Sequence, residues 1–411
     1  MLENRRSMLA RERIRDQNVW RLYLATLLVG LAYGISISLT AIHLAANGFG
    51  KEAIGSLAAW FAAGLVGLSI PMGALLRTVS AKHVLAFALV GYAGTVTWFP
   101  WLTSYSALAA VRLLDGACSV AVWVSCETLL LKRAQPEHKA YTMSLYAVAL
   151  AVGYVVGPLI ARLIAEAAPL WFAFGAAGAL AVAAAVYVGV RVEADAPLVE
   201  DVARANEGSA ASSWSILWKI KNSCFATFSY GYFQAAVVLF LPLYLMEEKG
   251  IPRDRTIVIP AFFAAGMLLF SNVMGRAGDR YGHLLLMRWL AVVGTAMILG
   301  FVFLNSYVWM CAAVFTAGAS LATISPVSLA LQGAQVPPSD YGRATGIYNT
   351  FYAGGILLGP PLSSQLFARL GGATMLYHLA ALWMCFIAFS LIFTRDDPRW
   401  RRELGESPQL P

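Results

Sequence analysis

Charge is what this chain has least of. Asp, Glu, Lys and Arg make up 13% of 411 residues, against roughly 25% in soluble domains, so water is not the main solvent of its surface. Histidine is scarcer, at five, and the five cysteines (Cys118, Cys126, Cys224, Cys311, Cys385) form no Cys-x-x-Cys or Cys/His cluster. Neither a disulfide framework nor a metal site is indicated, and these thiols read as buried small side chains. There is no nucleophile–base pair and no phosphate loop, so the chain is not read as an enzyme and no cofactor is expected. No cationic cluster suits a phosphate, and no second deeply embedded acid suits a dication.

What is present in quantity is hydrocarbon. Hydrophobic residues are 59%, and apolar stretches near the ~20 residues needed to cross a bilayer recur throughout. Twelve spans are predicted, at about 22–46, 53–75, 83–103, 106–131, 141–164, 168–190, 223–246, 257–275, 289–306, 309–331, 344–366 and 373–394. Only helices or closed barrels satisfy their backbone in lipid, and these runs lack the alternating polarity of barrel strands. The fold class is therefore an all-α membrane protein. Shifting the chain by 202 residues superposes its landmarks: Phe61-Ala62-Ala63-Gly64 falls on Phe263-Ala264-Ala265-Gly266, Gly116 on Gly318, and Gly157-Pro158 on Gly359-Pro360. Such duplication is a mark of secondary transporters. It divides the chain into a six-helix bundle over 1–190, a linker over 191–214 and a second six-helix bundle over 215–411.

Of the 30 Lys and Arg, 23 fall in segments that would share a side with the N-terminus, Arg77, Lys82, Lys132, Arg133 and Arg343 among them. The opposite loops hold five: Lys51, Lys249, Arg253, Arg255 and Arg369. This bias predicts an inner-membrane protein with both termini in the cytoplasm. It also accounts for the net charge of +8; nucleic acid is not expected as a partner, and the basic N-terminus is expected to touch anionic lipid headgroups. The first apolar run is too long for a signal-peptide core and is expected to be retained. Trp214–Lys221 reads as a short amphipathic helix at the inner membrane surface.

Between spans eight and nine lies Gly275-Arg276-Ala277-Gly278-Asp279-Arg280-Tyr281-Gly282-His283. It resembles the signature Gly-x-x-x-Asp-Arg-x-Gly-Arg/Lys of the major facilitator superfamily, and with twelve spans in two copies the resemblance covers essentially the whole chain. It implies that Gly275 allows close helix contact and that Asp279 and Arg280 form ionic contacts locking an inner gate. The first copy departs from the pattern: Arg77 stands in register where the acid belongs, which puts the usual charge relay of that half in doubt. In the family an acid placed like Glu127 pairs with the basic loop after span two, making Arg77 or Lys82 its partner. A headgroup-level Glu127 and a basic loop that only orients the chain are the alternatives.

Span four carries Leu108-x-x-x-Arg112-x-x-x-Gly116, similar to a second family signature whose Arg is tied to proton coupling. An ionised Arg inside a span costs at least ~2.5 kcal/mol and needs a wet cavity or a partner. Asp115, three residues on, is the partner and the only acid near the middle of any span. It is the proton-carrier candidate, with Arg112 tuning it; a permanent structural pair is the other reading. Val314 and Ala317 occupy the equivalent sites of the second copy, so coupling is expected in the first half. Gly153-x-x-x-Gly157-Pro158 and Gly355-x-x-x-Gly359-Pro360 resemble the exporter signature without its last glycine pair, and equally suit close helix packing.

Tyr33, Tyr230, Gln234, Asn349 and Tyr352, with Tyr232 and Tyr348 beside them, are candidate cavity residues, because the resemblance implies that facing helices surround a central site. The chain is identified as a member of the drug-exporter-like bacterial branch. Proton-coupled efflux of a small, rather apolar molecule by a monomer is the resulting expectation. An uncoupled facilitator, or a non-transporting receptor or scaffold with the same fold, stays open.

Overall fold

Long apolar runs leave backbone polar groups nothing to bond but the chain itself. A computed structural model describes residues 16–133, 139–194, 213–336 and 341–397, and among these are twelve long helices and no strand. They are α1 (Gln17–Ala46), α2 (Lys51–Thr78), α3 (Ala81–Trp98), α4 (Tyr105–Arg133), α5 (Lys139–Ala167), α6 (Leu170–Arg191), α7 (Lys221–Glu247), α8 (Ile259–Tyr281), α9 (His283–Phe301), α10 (Tyr307–Gln335), α11 (Tyr341–Leu370) and α12 (Gly372–Ile392). Eleven are also apolar enough to cross a membrane by composition alone. The exception is α11, whose Asn349, Thr350, Ser363, Ser364 and Gln365 dilute its apolar run. Of the linker read at 191–214, residues 195–212 lie outside the described residues.

By their contacts the residues divide into two compact units, Met1–His43 with Trp60–Asp201, and Leu44–Ala59 with Val202–Pro411. In the first, α3 packs against α4 and α6. The α6 face is a stripe of small residues, Ala173, Ala177, Ala181 and Ala184, each fully buried, which lets two helix backbones approach where lipid supplies no hydrophobic drive. In the second, α7 packs along α11, and α9 along α12.

The duplication is visible in the glycine contacts. A methyl group added to Gly64 would strike the Leu113 carbonyl, and one on Gly116 the Phe61 carbonyl; 202 residues on, Gly266 meets the Phe315 carbonyl and Gly318 that of Phe263. The same crossing of α2 with α4 is thus rebuilt in α8 with α10. Gly153 and Gly157 lie against Gly30 and Gly34 of α1, and Gly355 and Gly359 against Phe228 and Tyr232 of α7, so the Gly-x-x-x-Gly-Pro motifs do serve close packing here. Two features break the symmetry. Gly282 links α8 to α9 with φ of 100°, whereas its counterpart Ser80 has φ of −57°. And α10 contains a π turn, Gly318–Ala322, where α4 is regular.

Each unit is tied at one end by a polar cluster. In the first, Arg133 Nη1 lies 3.1 Å from Asp16 Oδ2 and its Nη2 donates to the Glu193 carbonyl at 2.9 Å. Asn18 Nδ2 donates to Asp16 and to Glu193 Oε2, and Arg21 to the Arg191 carbonyl, joining the ends of α1, α4 and α6. In the second, Gln335, the counterpart of Arg133, donates to the Asp396 carbonyl at 2.9 Å. There Asn222 Nδ2 and Lys221 Nζ reach Asp396 Oδ2 at 2.9 and 2.6 Å. The helix expected near 214–221 spans Ser213–Lys219; Ile216 is buried against Ile220, Cys224, Val336 and Ala344, while Trp214 and Trp218 are exposed.

Candidate functional site

Three residues apart on α4, Arg112 and Asp115 share a face, and Arg112 Nη1 lies 2.5 Å from Asp115 Oδ2. Both side chains are largely buried, 15% and 13% exposed. The guanidinium also lies over the Phe61 ring of α2, 4.4 Å from its centre, a placement that offsets part of its desolvation. Ser119, one turn on, points its hydroxyl at Asp115 Oδ1 over 3.5 Å, the limit of a hydrogen bond. The charged pair expected from the sequence is therefore formed, inside the first unit.

Around it stand aromatic rings from four helices. Tyr33 of α1 has its ring centre 4.5 Å from Tyr92 of α3, 6.0 Å from Trp123 of α4 and 6.4 Å from Tyr154 of α5. Tyr92 bonds Ser36 at 3.0 Å. Tyr33 Oη is buried beside the Ser119 hydroxyl, its hydrogen-bond neighbour, and Trp123 Nε1 is buried with no partner among the described residues, which is uncommon for polar groups away from water. Tyr33 is thus only 3% exposed: it belongs to the polar centre of the first unit rather than to an open wall.

In the second unit, Tyr352 Oη donates to Gln234 Oε1 at 3.0 Å. The Tyr352 ring runs nearly parallel to that of Tyr230, 20° apart in plane and 6.0 Å between centres. Tyr230 is buried, Gln234 and Tyr352 are half-buried and Asn349 is exposed. Tyr348, by contrast, is taken up by Ser325 and Ser328 of α10. The structure therefore brings Tyr230, Gln234 and Tyr352 together, with Asn349 one turn before Tyr352 on α11.

The gate candidates are described in part. The side chains of Arg77 and Asp279 lie outside the described residues. Arg280 is exposed, its guanidinium 5.2 Å from the centre of the Tyr281 ring. A methyl on Gly275 would meet no described atom within 4 Å, whereas one on Gly278 would meet His283 and Val327. Glu127 is half-buried on α4.

Two constellations escaped the sequence. His378 of α12 has Nδ1 2.5 Å from the Met375 carbonyl, and Nε2 3.1 Å from Tyr232 Oη and 3.3 Å from Ser363 Oγ. A carbonyl only accepts, so Nδ1 carries the proton and Nε2 accepts from a hydroxyl. A lone histidine in an apolar run was the available signal. The other is the seating of 51–55 in the second unit: Lys51 Nζ lies 2.6 Å from Glu247 Oε2, Glu52 Oε1 3.3 Å from Arg369 Nε, and Gly55 abuts Ser364 and the Pro360 carbonyl. Pairs some 200 and 300 residues apart leave no local pattern.

A buried ion pair on the fourth helix, a duplicated glycine framework and twelve spans are joined by a direct match: the profile of the Major Facilitator Superfamily fits residues 22–251 and 223–410. The chain belongs to the major facilitator superfamily. It is 23% identical over 323 residues to an MFS-type transporter of Yersinia pestis (strain Pestoides F), 76% of each chain. It is 20% identical over 363 residues to the MFS-type transporter YfkF of Bacillus subtilis (strain 168), 87% of this chain and 92% of that one. A mutant of the nucleoside transporter NupG superposes with a TM-score of 0.77 at 14% identity, over 91% of this chain and 99% of that. A bacterial homologue of the human lysosomal transporter Spinster, inward-facing and occupied, gives 0.77 at 12%, over 93% and 97%. The superfamily carries small molecules across membranes, and this chain is an integral membrane protein with that fold, not an enzyme.

Proposed function

We propose that this chain is a proton-coupled secondary transporter that exports a small, rather apolar molecule by alternating access from the cytoplasm of a bacterial cell. The observation that carries the reading is the Arg112–Asp115 pair, an acid held inside a span with its cation three residues away and the Tyr33–Tyr92 aromatic centre in the same unit. An acid so placed changes charge when water reaches it and its pairing with Arg112 loosens. The two six-helix halves, 1–190 and 215–411, are the moving parts, the linker and both termini are cytoplasmic, and Asp279, Arg280, Gly275, Glu127 and Arg77 form the inner gate. The exporter-like Gly-x-x-x-Gly-Pro motifs support the direction.

One observation favours a rival. Asp115 is already bonded to Arg112 at 2.5 Å, as a permanent structural pair in an uncoupled facilitator would be. Purified protein in proteoliposomes, screened for substrate with and without a pH gradient, separates the two. With a substrate in hand, Asp115→Asn is expected to abolish uphill, pH-driven movement and to spare downhill exchange, because exchange needs the moving helices but no change of protonation. Unaltered pH-driven transport in a well-expressed Asp115→Asn protein decides for the structural pair.

A further inference from the structure

We propose that Gln234, Tyr352 and Asn349 form a subsite for an uncharged, planar molecule that presents a carbonyl or ring-nitrogen acceptor. This rests on the transport reading above, and not on its proton coupling.

The polarity of the subsite is set by one hydrogen bond. Tyr352 Oη has its proton committed to Gln234 Oε1 at 3.0 Å, which takes one of the two lone pairs on the amide oxygen and fixes its orientation. The two N–H donors on Gln234 Nε2 are then what the amide offers. A ligand group meeting that NH2 end must accept.

Tyr352 is held where it makes that bond by a missing side chain. A methyl on Gly231 would strike the Tyr352 carbonyl and ring edge, so α7 and α11 approach at this level only because residue 231 is glycine. Tyr230, buried with its hydroxyl 3.8 Å from Met267 Sδ, backs the Tyr352 ring from one turn before Gln234. Together they make a flat, supported surface beside a pair of donors, which suits a planar ring. Asn349 adds an exposed amide one turn earlier on α11. An exposed amide within a membrane helix is tolerated where it lines a water-accessible path rather than lipid.

Charge selection follows from composition. No Asp, Glu, Lys or Arg lies in α7 between Lys221 and Glu247, in α11 between Arg343 and Arg369, or anywhere in α10. A charged ligand would leave water for a wall with no counter-ion, a far larger loss than burying a neutral carbonyl that receives a hydrogen bond.

A matched set of probes tests this directly: nicotinamide (neutral), nicotinate (anion) and 1-methylnicotinamide (cation) share one ring. Dissociation constants are measured by saturation-transfer NMR on the full chain purified in detergent. The expected result is that nicotinamide binds about tenfold or more tighter than either charged analogue. Gln234→Leu should weaken nicotinamide by about five- to tenfold, the net worth of a lost hydrogen bond, while Tyr352→Phe, which frees the amide to turn, should weaken it less. Gln234→Glu, which replaces the donors with an acceptor, should reverse the preference towards 1-methylnicotinamide and covers the case in which Gln234→Leu does not fold. Absence of nicotinamide binding, equal binding of a charged analogue, or a folded Gln234→Leu protein with unchanged affinity overturns the proposal. The coupling reading fails separately: neutral-selective binding together with pH-driven transport that survives Asp115→Asn removes the proton role and leaves the subsite standing.

Discussion

At the scale of single residues, the least visible atoms carry the sharpest expectations. A methyl on Gly116 would strike the Phe61 carbonyl and one on Gly275 would meet no described atom within 4 Å, yet both stand at landmarks of the repeat. Gly116→Ala should therefore destabilise by about 1–3 kcal/mol, as overpacking does, while Gly275→Ala should shift thermal unfolding in detergent little. Equal shifts would mean that the α2–α4 crossing is not as close as described. His378 is the second case. Replacing it by Phe removes the single Nε2 acceptor that Tyr232 and Ser363 share and should cost about 1–3 kcal/mol through the buried hydroxyl that loses it. His378→Gln, which restores an acceptor, should recover part of the loss in the same melting assay. The Arg112–Asp115 pair was legible in the sequence because three residues along a helix leave little freedom of placement. The Tyr232–His378–Ser363 node was not, because it depends on which faces of three helices meet.

Helices meet at their ends as well as along their sides, and there charge decides. Burial alone would raise the Asp16 carboxyl, but hydrogen bonds from the Asn18 backbone, from Arg133 and from the Asn18 side chain outweigh it and hold the group below the usual carboxylate range. A depressed folded value means that the stability this cluster gives is complete above the unfolded pKa, about 3.9, and is lost as pH falls through the folded one. Melting temperatures measured from about pH 6 to about pH 3 should drop more steeply below about pH 4 for the wild type than for Asp16→Asn; parallel curves would remove the cluster from the stability of the first unit. Segment 51–55 offers a second element-scale test. Lys51→Glu should weaken its seating against Glu247, and the exchange Lys51→Glu with Glu247→Lys should restore it, read as susceptibility of a cysteine at Ala53 to an impermeant thiol reagent. Helix existence and length were legible, since bilayer thickness fixes them. Helix-end clusters were not, because their members come from separate spans.

For the molecule as a whole, the distribution of basic residues gives a topology that labelling can check. A cysteine placed at Ser213, where the second unit's short helix begins, should be shielded from an impermeant thiol reagent in intact cells and should react once the membrane is opened. Labelling from outside would reverse the orientation. The whole fold was readable from the 202-residue repeat because duplication preserves the glycine crossings that two close helices require. The π turn in α10 is where the two copies differ in backbone. The two copies align there without a gap, yet a π turn takes one residue more than an α turn. Past Ala322 the buried positions of α10 nevertheless stay in register with those of α4: Ile324, Val327, Ser328, Leu331 and Gln332 answer Val122, Ser125, Cys126, Leu129 and Leu130. A gene that spliced 116–133 into the place of 318–335 would thus keep the buried face, and would set Arg133 where Gln335 donates to the Asp396 carbonyl. The halves share an ancestor in their letters, and still in the face that this helix buries.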